Sequence, residues 1–229
     1  LVSESEERSM GEKEYKNILQ KTPPLASTDP KTERARRIGE KLAAVSGKPD
    51  FNWEFNVIDD EKTINAFCLP GGKVVVYTGI LKIIKDDDEL ATVMGHEIGH
   101  AIAHHGAERM SQGMLTQIGG AVLAAAVGGQ SPMAQRAYKE AYGTGANLGI
   151  LLPFSRKHES EADYIGLILM SKAGFNPEAA VNFWQTMEKA SPGKDDPLAK
   201  FMSTHPSHKD RVKNIKKWLP EARKYQPKE

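Results

Sequence analysis

The sequence predicts an α+β fold, mainly helical, with a small antiparallel sheet beside one long central helix. Two observations carry this. Apolar residues recur at helical spacing over long stretches, chiefly 86–102 and 155–172. Between residues 53 and 77, three short segments alternate or run apolar as strands do. At 229 residues the chain can bury one sizeable core.

Taken in order, residues 1–30 are polar and broken at Thr22-Pro23-Pro24. They read as an N-terminal arm, helical or extended, that packs only through Ile18 and Leu19. Thr32 to Val45 is an amphipathic helix, and Trp53 to Ile58 alternates as a strand. A second strand, Thr63 to Cys68, turns through Pro70-Gly71-Gly72 into a third, Lys73 to Tyr77. Asp86-Asp87-Asp88-Glu89 supplies an acidic helix start with Asp86 as N-cap. Leu90, Val93, Met94, Ile98, Ala101 and Ile102 then follow at helical spacing, so the helix is largely buried. Met114 to Gly129 is uncharged and rich in Ala, Gly and Leu, yet too interrupted for a membrane span of about 20 residues. With the polar helical stretch Ser131–Tyr142 and the glycine-rich joint Gly143–Gly149, it makes 111–150 a lid or an inserted helical region. Ser155–Lys172 is a second core helix, through Ile165, Leu167, Ile168 and Leu169. Helices Pro177–Lys189 and Ser207–Leu219 complete a single domain over 31–229, with Pro206 in the last helix's first turn.

The chemistry centres on His96-Glu97-Ile98-Gly99-His100. Histidines four apart project from one helix face, about 6 Å apart along the axis. That spacing suits two corners of a tetrahedral zinc site, with Glu97 placed to take a proton from water. A buried helix carrying two histidines and a glutamate needs a reason, and a metal provides one. A hydrogen-bonded pair of core histidines is the bland alternative.

A third ligand is available in Glu159-Ser160-Glu161-Ala162-Asp163. Glu159 and Asp163 share a helix face, while Glu161 points roughly 200° from Glu159. We therefore read Glu159 as ligand and Asp163 as the carboxylate that accepts a hydrogen bond from a ligating imidazole. Glu161 and His158 read as surface residues. His104 lies about 12 Å along an unbroken helix from His96, so one zinc cannot bind both. His104 and His105 are packing or supporting groups, and His208 is on the surface.

The chain resembles metallopeptidase family 48, which includes CAAX prenyl proteases, HtpX-like proteases and bacterial periplasmic BepA-like proteases. H-E-x-x-H followed by E-x-x-x-D is the gluzincin pattern. Asn65 to Gly72, Thr78-Gly79-Ile80-Leu81, Glu89 to Ser111, Ser155-Arg156, Glu161-Ala162-Asp163 and Ser203-Thr204-His205-Pro206 with Arg211 carry the resemblance. It implies a zincin-like zinc endopeptidase, one Zn2+ held by His96, His100 and Glu159, and Glu97 as catalytic base. It implies that His205 donates to the developing oxyanion, or else swings onto zinc as a removable fourth ligand. Arg211 pairs with an active-site carboxylate or makes a structural salt bridge. Gluzincins bind extended substrate antiparallel to an edge strand, here assigned to Asn65, Ala66 and Phe67. Membrane-bound relatives place hydrophobic helices in regions comparable to 111–150. Leu1-Val2-Ser3-Glu4 is similar to the start of mature periplasmic members just beyond a lipid-modified cysteine. That implies a periplasmic, outer-membrane-anchored lipoprotein acting in envelope quality control on misfolded outer-membrane proteins.

Composition narrows the partners. With 31 basic and 30 acidic side chains, nothing pulls the chain toward nucleic acid. The single cysteine, Cys68, excludes an intrachain disulfide and reads as a small core residue. Lys213, Lys216 and Lys217 form a solvated face. Two rival functions are a zinc hydrolase of non-peptide amides and a zinc-bearing, chaperone-like binder of unfolded proteins with latent proteolysis.

Overall fold

A computed structural model describes residues 2–112, 153–190, 192–207 and 209–228. The lid expected over 111–150 lies outside these residues, apart from its first two positions, and so does His208. Among the described residues there are three strands and eight named helices. No helix is long and apolar enough to cross a membrane.

Helix α1 (Glu4–Lys21) opens with a capping box between Ser3 and Glu6. It is the helical form of the arm, but it packs through more than Ile18 and Leu19. Tyr15 is buried with Ile58, Leu69 and Val75, while Ile18 and Leu19 only border that cluster. Helix α2 (Pro30–Ala44) is capped by Asp29, with proline at the first helical position. Strands β1 (Glu54–Ile58), β2 (Ala66–Leu69) and β3 (Lys73–Tyr77) make one sheet in the order β1-β3-β2.

The sheet is mixed, not antiparallel. The β2–β3 hairpin is antiparallel, with Ala66 opposite Val76. After β1 the chain crosses to the far edge, makes β2 there and returns through the middle, so β3 runs parallel to β1. Alternation along β3 then serves both faces. Val74 and Val76 join the main core with α2 and the central helix, while Val75 faces α1.

Past the short α3 (Thr78–Leu81), helix α4 (Asp87–Ile102) is buried along nearly its whole length. Its N-cap Asp86 accepts a hydrogen bond from the Glu89 amide at 2.8 Å. The helix is not continuous through His104. It ends at Ile102, turns at Ala103 and His104, where His104 has φ 57°, and helical structure resumes at 105–112.

Helix α5 (Arg156–Lys172), capped by Ser155, crosses α4 at close range. A Cβ built on Gly166 would lie 2.8 Å from the Gly95 carbonyl carbon, and one on Gly99 would lie 2.9 Å from the Ala162 oxygen. Backbones touch here because the facing residues are small. Helices α6 (Glu178–Lys189), α7 (Pro197–Thr204) and α8 (Arg211–Arg223) close the core. The sequence reading contained no α7, and α8 starts four residues later than expected, leaving Pro206 in the preceding loop.

Gly166→Ala is expected to cost about 1–3 kcal/mol, because a methyl group there must push two helix backbones apart. Chemical denaturation of the variant checks this. An unchanged unfolding midpoint would show that the crossing has slack.

Candidate metal centre

One turn of α4 and one turn of α5 face each other across the glycine contact. His96 and His100 come from α4, and Glu159 comes from the first turn of α5. His205, just past the end of α7, completes a buried group of four whose ligand atoms all lie within 4.8 Å of one another. His96 Nε2 is 3.0 Å from His100 Nε2 and 3.4 Å from Glu159 Oε2. His100 Nε2 is 3.2 Å from Glu159 Oε1. His205 Nδ1 is 3.0 Å from Glu159 Oε1 and 3.4 Å from His96 Nε2.

These separations fit a metal. Ligand atoms on a tetrahedral zinc with bonds of about 2.0–2.1 Å lie roughly 3.3 Å apart. The hydrogen-bond accounting agrees. His96 Nδ1 donates to Asp163 Oδ1 at 2.8 Å, and His100 Nδ1 lies 2.9 Å from His105 Nδ1. The two Nε2 atoms then face each other at 3.0 Å, a contact that needs a shared proton or a cation between them. Glu159 Oε2 has no hydrogen-bond partner, although Arg211 Nη2 is 3.0 Å away. The donor set of three imidazoles and one carboxylate suits zinc.

The electrostatics also call for a cation. Burial disfavours charge on His96, yet Glu159 and Asp163 outweigh it and hold its pKa at about 10. Burial instead pushes His100 well below its ordinary value, against the pull of Glu159. Burial acts against the Glu159 charge as well, but His96, His100 and His205 keep its carboxyl well below the usual range. Glu97 is raised, chiefly by burial and partly offset by His205 and His96. Its Oε1 is buried without a hydrogen-bond partner, 3.4 Å from His205 Nε2.

Arg211 lies fully buried at the back of the group. It donates to Asp163 at 2.7 Å, and its guanidinium carbon sits 3.2 Å from the centre of the Trp184 ring. Arg211 thus reaches the active-site carboxylates, the first of the two alternatives its position allowed. Asn65, Ala66 and Phe67 line a narrow cleft of about 70 Å³ that also touches Glu97, His100 and His205. Cys68 borders the same cleft, and burial raises its thiol pKa, so it is protonated and inert.

Peptidase family M48 matches this sequence over residues 29–219. The chain belongs to that family. Among curated relatives, the M48 chain is 42% identical over 223 residues to mitochondrial metalloendopeptidase OMA1 of Schizosaccharomyces pombe, covering 96% of this chain and 63% of the relative. Against the Arabidopsis thaliana protein of the same name, identity is 41% over 182 residues, covering 79% of this chain and 35% of the relative. The β-barrel assembly-enhancing protease of Yersinia pestis is 29% identical over 221 residues, 94% of this chain and 44% of that protein. The M48 chain thus spans less than two thirds of each of these relatives. The order of similarity overturns the periplasmic placement implied by the N-terminal resemblance, because the more similar relatives are mitochondrial by name. Four residues at the chain start were too short a match to carry a compartment.

Several residues of the M48 site were missed or misplaced by sequence reasoning. Phe154 stacks on His100 with ring centres 3.6 Å apart, and the Arg109 guanidinium carbon lies 3.3 Å from the centre of the Phe154 ring. Burial lowers the Arg109 pKa to about 10. Trp184 borders His96, with ring centres 5.6 Å apart. His158, read as a surface residue, is buried and hydrogen-bonded to Glu108 at 2.9 Å. Glu161 is half exposed but meets His105 at 3.1 Å. No spacing rule signals these contacts, since each depends on a rotation or turn set by tertiary packing.

Arg211→Met would leave Asp163 and Glu159 buried without their guanidinium. We expect it to lower the unfolding free energy by about 3–5 kcal/mol. Urea titration of the metal-free protein measures this, and a loss under about 1 kcal/mol would assign Arg211 a lesser part.

Proposed function

We propose that the chain is a zinc-dependent metalloendopeptidase of zincin-like fold, contained within residues 31–229, that hydrolyses peptide bonds in protein substrates. The observation that carries the reading is the convergence of His96, His100 and Glu159 on one point, with the buried Glu97 carboxylate beside it. His96, His100 and Glu159 would hold zinc. Once bound, zinc would supply Lewis acidity, polarising the scissile carbonyl and acidifying the attacking water.

The chain's own groups do the rest. Glu97, its proton affinity raised by burial, takes a proton from the attacking water and returns it to the leaving nitrogen. Asp163 fixes His96 in one tautomer, and Arg211 holds Asp163 in turn. His205 Nδ1 lies among the other ligand atoms, close to Glu159 Oε1 and His96 Nε2, which favours its role as a removable fourth ligand over oxyanion donor. Its Nε2 faces Glu97, so withdrawal of the imidazole would also free the base.

Substrate recognition would run along β2. Among the described residues that strand lies at the sheet edge and pairs only with β3, so its other side could accept an extended segment by main-chain hydrogen bonds, at Asn65, Ala66 and Phe67. Such binding is indifferent to most side chains and suits unfolded or misassembled proteins. For the compartment we propose the mitochondrion, on the names of the more similar relatives. The chaperone-like alternative is not favoured, because both similar groups are named as proteases.

Glu97→Gln should keep stoichiometric zinc by elemental analysis while casein cleavage falls by at least about 10²-fold. Normal cleavage by that variant would exclude Glu97 as the base. Glu159→Ala should lose zinc together with activity.

A further inference from the structure

The contacts behind the two α4 histidines differ. His96 is backed by a carboxylate, Asp163, which Arg211 neutralises. Behind His100 stands another imidazole, His105, at 2.9 Å between the two Nδ1 atoms. If His100 presents Nε2 to the metal, its Nδ1 carries the proton and must donate. His105 then accepts at Nδ1, so its own proton sits on Nε2, which lies 3.1 Å from Glu161 Oε2. Only one arrangement of protons satisfies both contacts.

The fold builds this line of contacts deliberately. On a straight helix, residues five apart are rotated by roughly 140° and cannot meet. The turn at Ala103–His104 breaks α4 and swings His105 back beneath His100. Ring packing then holds it there. His158 stacks on His105 at 4.3 Å between centres and is itself tied to Glu108 at 2.9 Å. His105 is 1% exposed, whereas the Glu161 side chain is 50% exposed, so the line runs from the metal centre to the surface.

We infer that His105 and Glu161 are positioning residues for the metal: His105 accepts from His100 Nδ1 and Glu161 fixes the His105 tautomer, together orienting the His100 ring and raising its basicity toward zinc. The inference rests on the proposed role of His100 as ligand. It assigns function to Glu161, whose place on the α5 surface gave no hint of one, and to the second of two adjacent histidines outside the ligand motif.

The test is zinc affinity, measured by competition with a chromophoric chelator, on the purified full chain. His105→Phe keeps a ring for His158 to stack on but removes the acceptor, and should weaken zinc binding by about 10–100-fold. His105→Gln, which restores an acceptor oxygen, should recover part of that loss. Glu161→Ala should weaken zinc in the same direction but by less, since water can replace a half-exposed carboxylate. Thermal melts of the metal-free variants separate these effects from lost packing; a merely structural His105 would lower the melting temperature without a selective change in affinity. Long-range nitrogen NMR of the zinc-loaded wild type should find the His105 proton on Nε2. Affinities of His105→Phe and Glu161→Ala within about twofold of wild type, or a proton on His105 Nδ1, would overturn the inference. His100→Ala is measured alongside. If it binds zinc like the wild type, the metal reading itself fails; if it loses zinc while His105→Phe does not, only the positioning role fails.

Discussion

The close crossing of α4 and α5 is the constraint on which the site depends. Two imidazoles on one helix define only a line, and a metal needs a third direction. Glu159 supplies it from α5, but a glutamate side chain is short. It reaches the α4 histidines only because Gly95 and Gly99 lie against Gly166 and Ala162 with backbone touching backbone. A pair of ordinary helices packs with axes about 8–10 Å apart, and side-chain bulk sets that distance. Removing the bulk at the crossing trades helix propensity for proximity. The same approach puts Asp163 one turn beyond Glu159, within 2.8 Å of His96.

Proximity creates an electrostatic problem. Glu97, Glu159 and Asp163 are all buried in one small volume. Uncompensated carboxylates there would be costly; Arg211 pairs with Glu159 and Asp163, and the buried Arg109 adds a longer-range pull on Glu97 and Glu159. In the metal-free chain the compensation falls on a proton, which is why His96 is held at about 10 while the neighbouring His100 is kept neutral. One imidazole charged and the other not is the cheapest arrangement for two rings whose Nε2 atoms are 3.0 Å apart. A divalent cation between them would meet the same demand for positive charge more completely.

What was legible in the sequence follows from which physics is local. The start of α4 with its N-cap Asp86, and the start of α5 near Ser155, are encoded within a few residues and appear where the pattern puts them. The strands were also legible, yet the sheet's mixed sense was not. Parallel pairing of β1 with β3 is decided by where the chain goes between residues 58 and 66, which alternation does not record. The break after Ile102 was hidden for a different reason. Ala103 and His104 carry neither glycine nor proline, and a histidine at positive φ is uncommon enough that an unbroken helix is the better guess from sequence. His158 looks like a surface polar residue from its place on α5. It is buried because it has a partner from a distant element, Glu108.

That one unpredicted turn has two consequences, and they meet at the cleft. By redirecting the chain it brings His105 behind His100, and it also leaves His104 free to contact Glu7 of α1 at 2.7 Å. Glu7 is buried and lines the cleft with Met10, Gly11 and Glu14, as do Ala66 to Leu69 of β2. The arm that reads from sequence as a polar lead-in is therefore a wall of the cavity above Glu97. Its position is fixed at one end by Tyr15 in the sheet core and at the other by the end of α4. An extended segment pairing with β2 would have to fit between α1 and the helical stretch 105–112. The width available to it is set by the same backbone turn that sets the surroundings of His100. In this fold, access to the site and the geometry of the site share one hinge point.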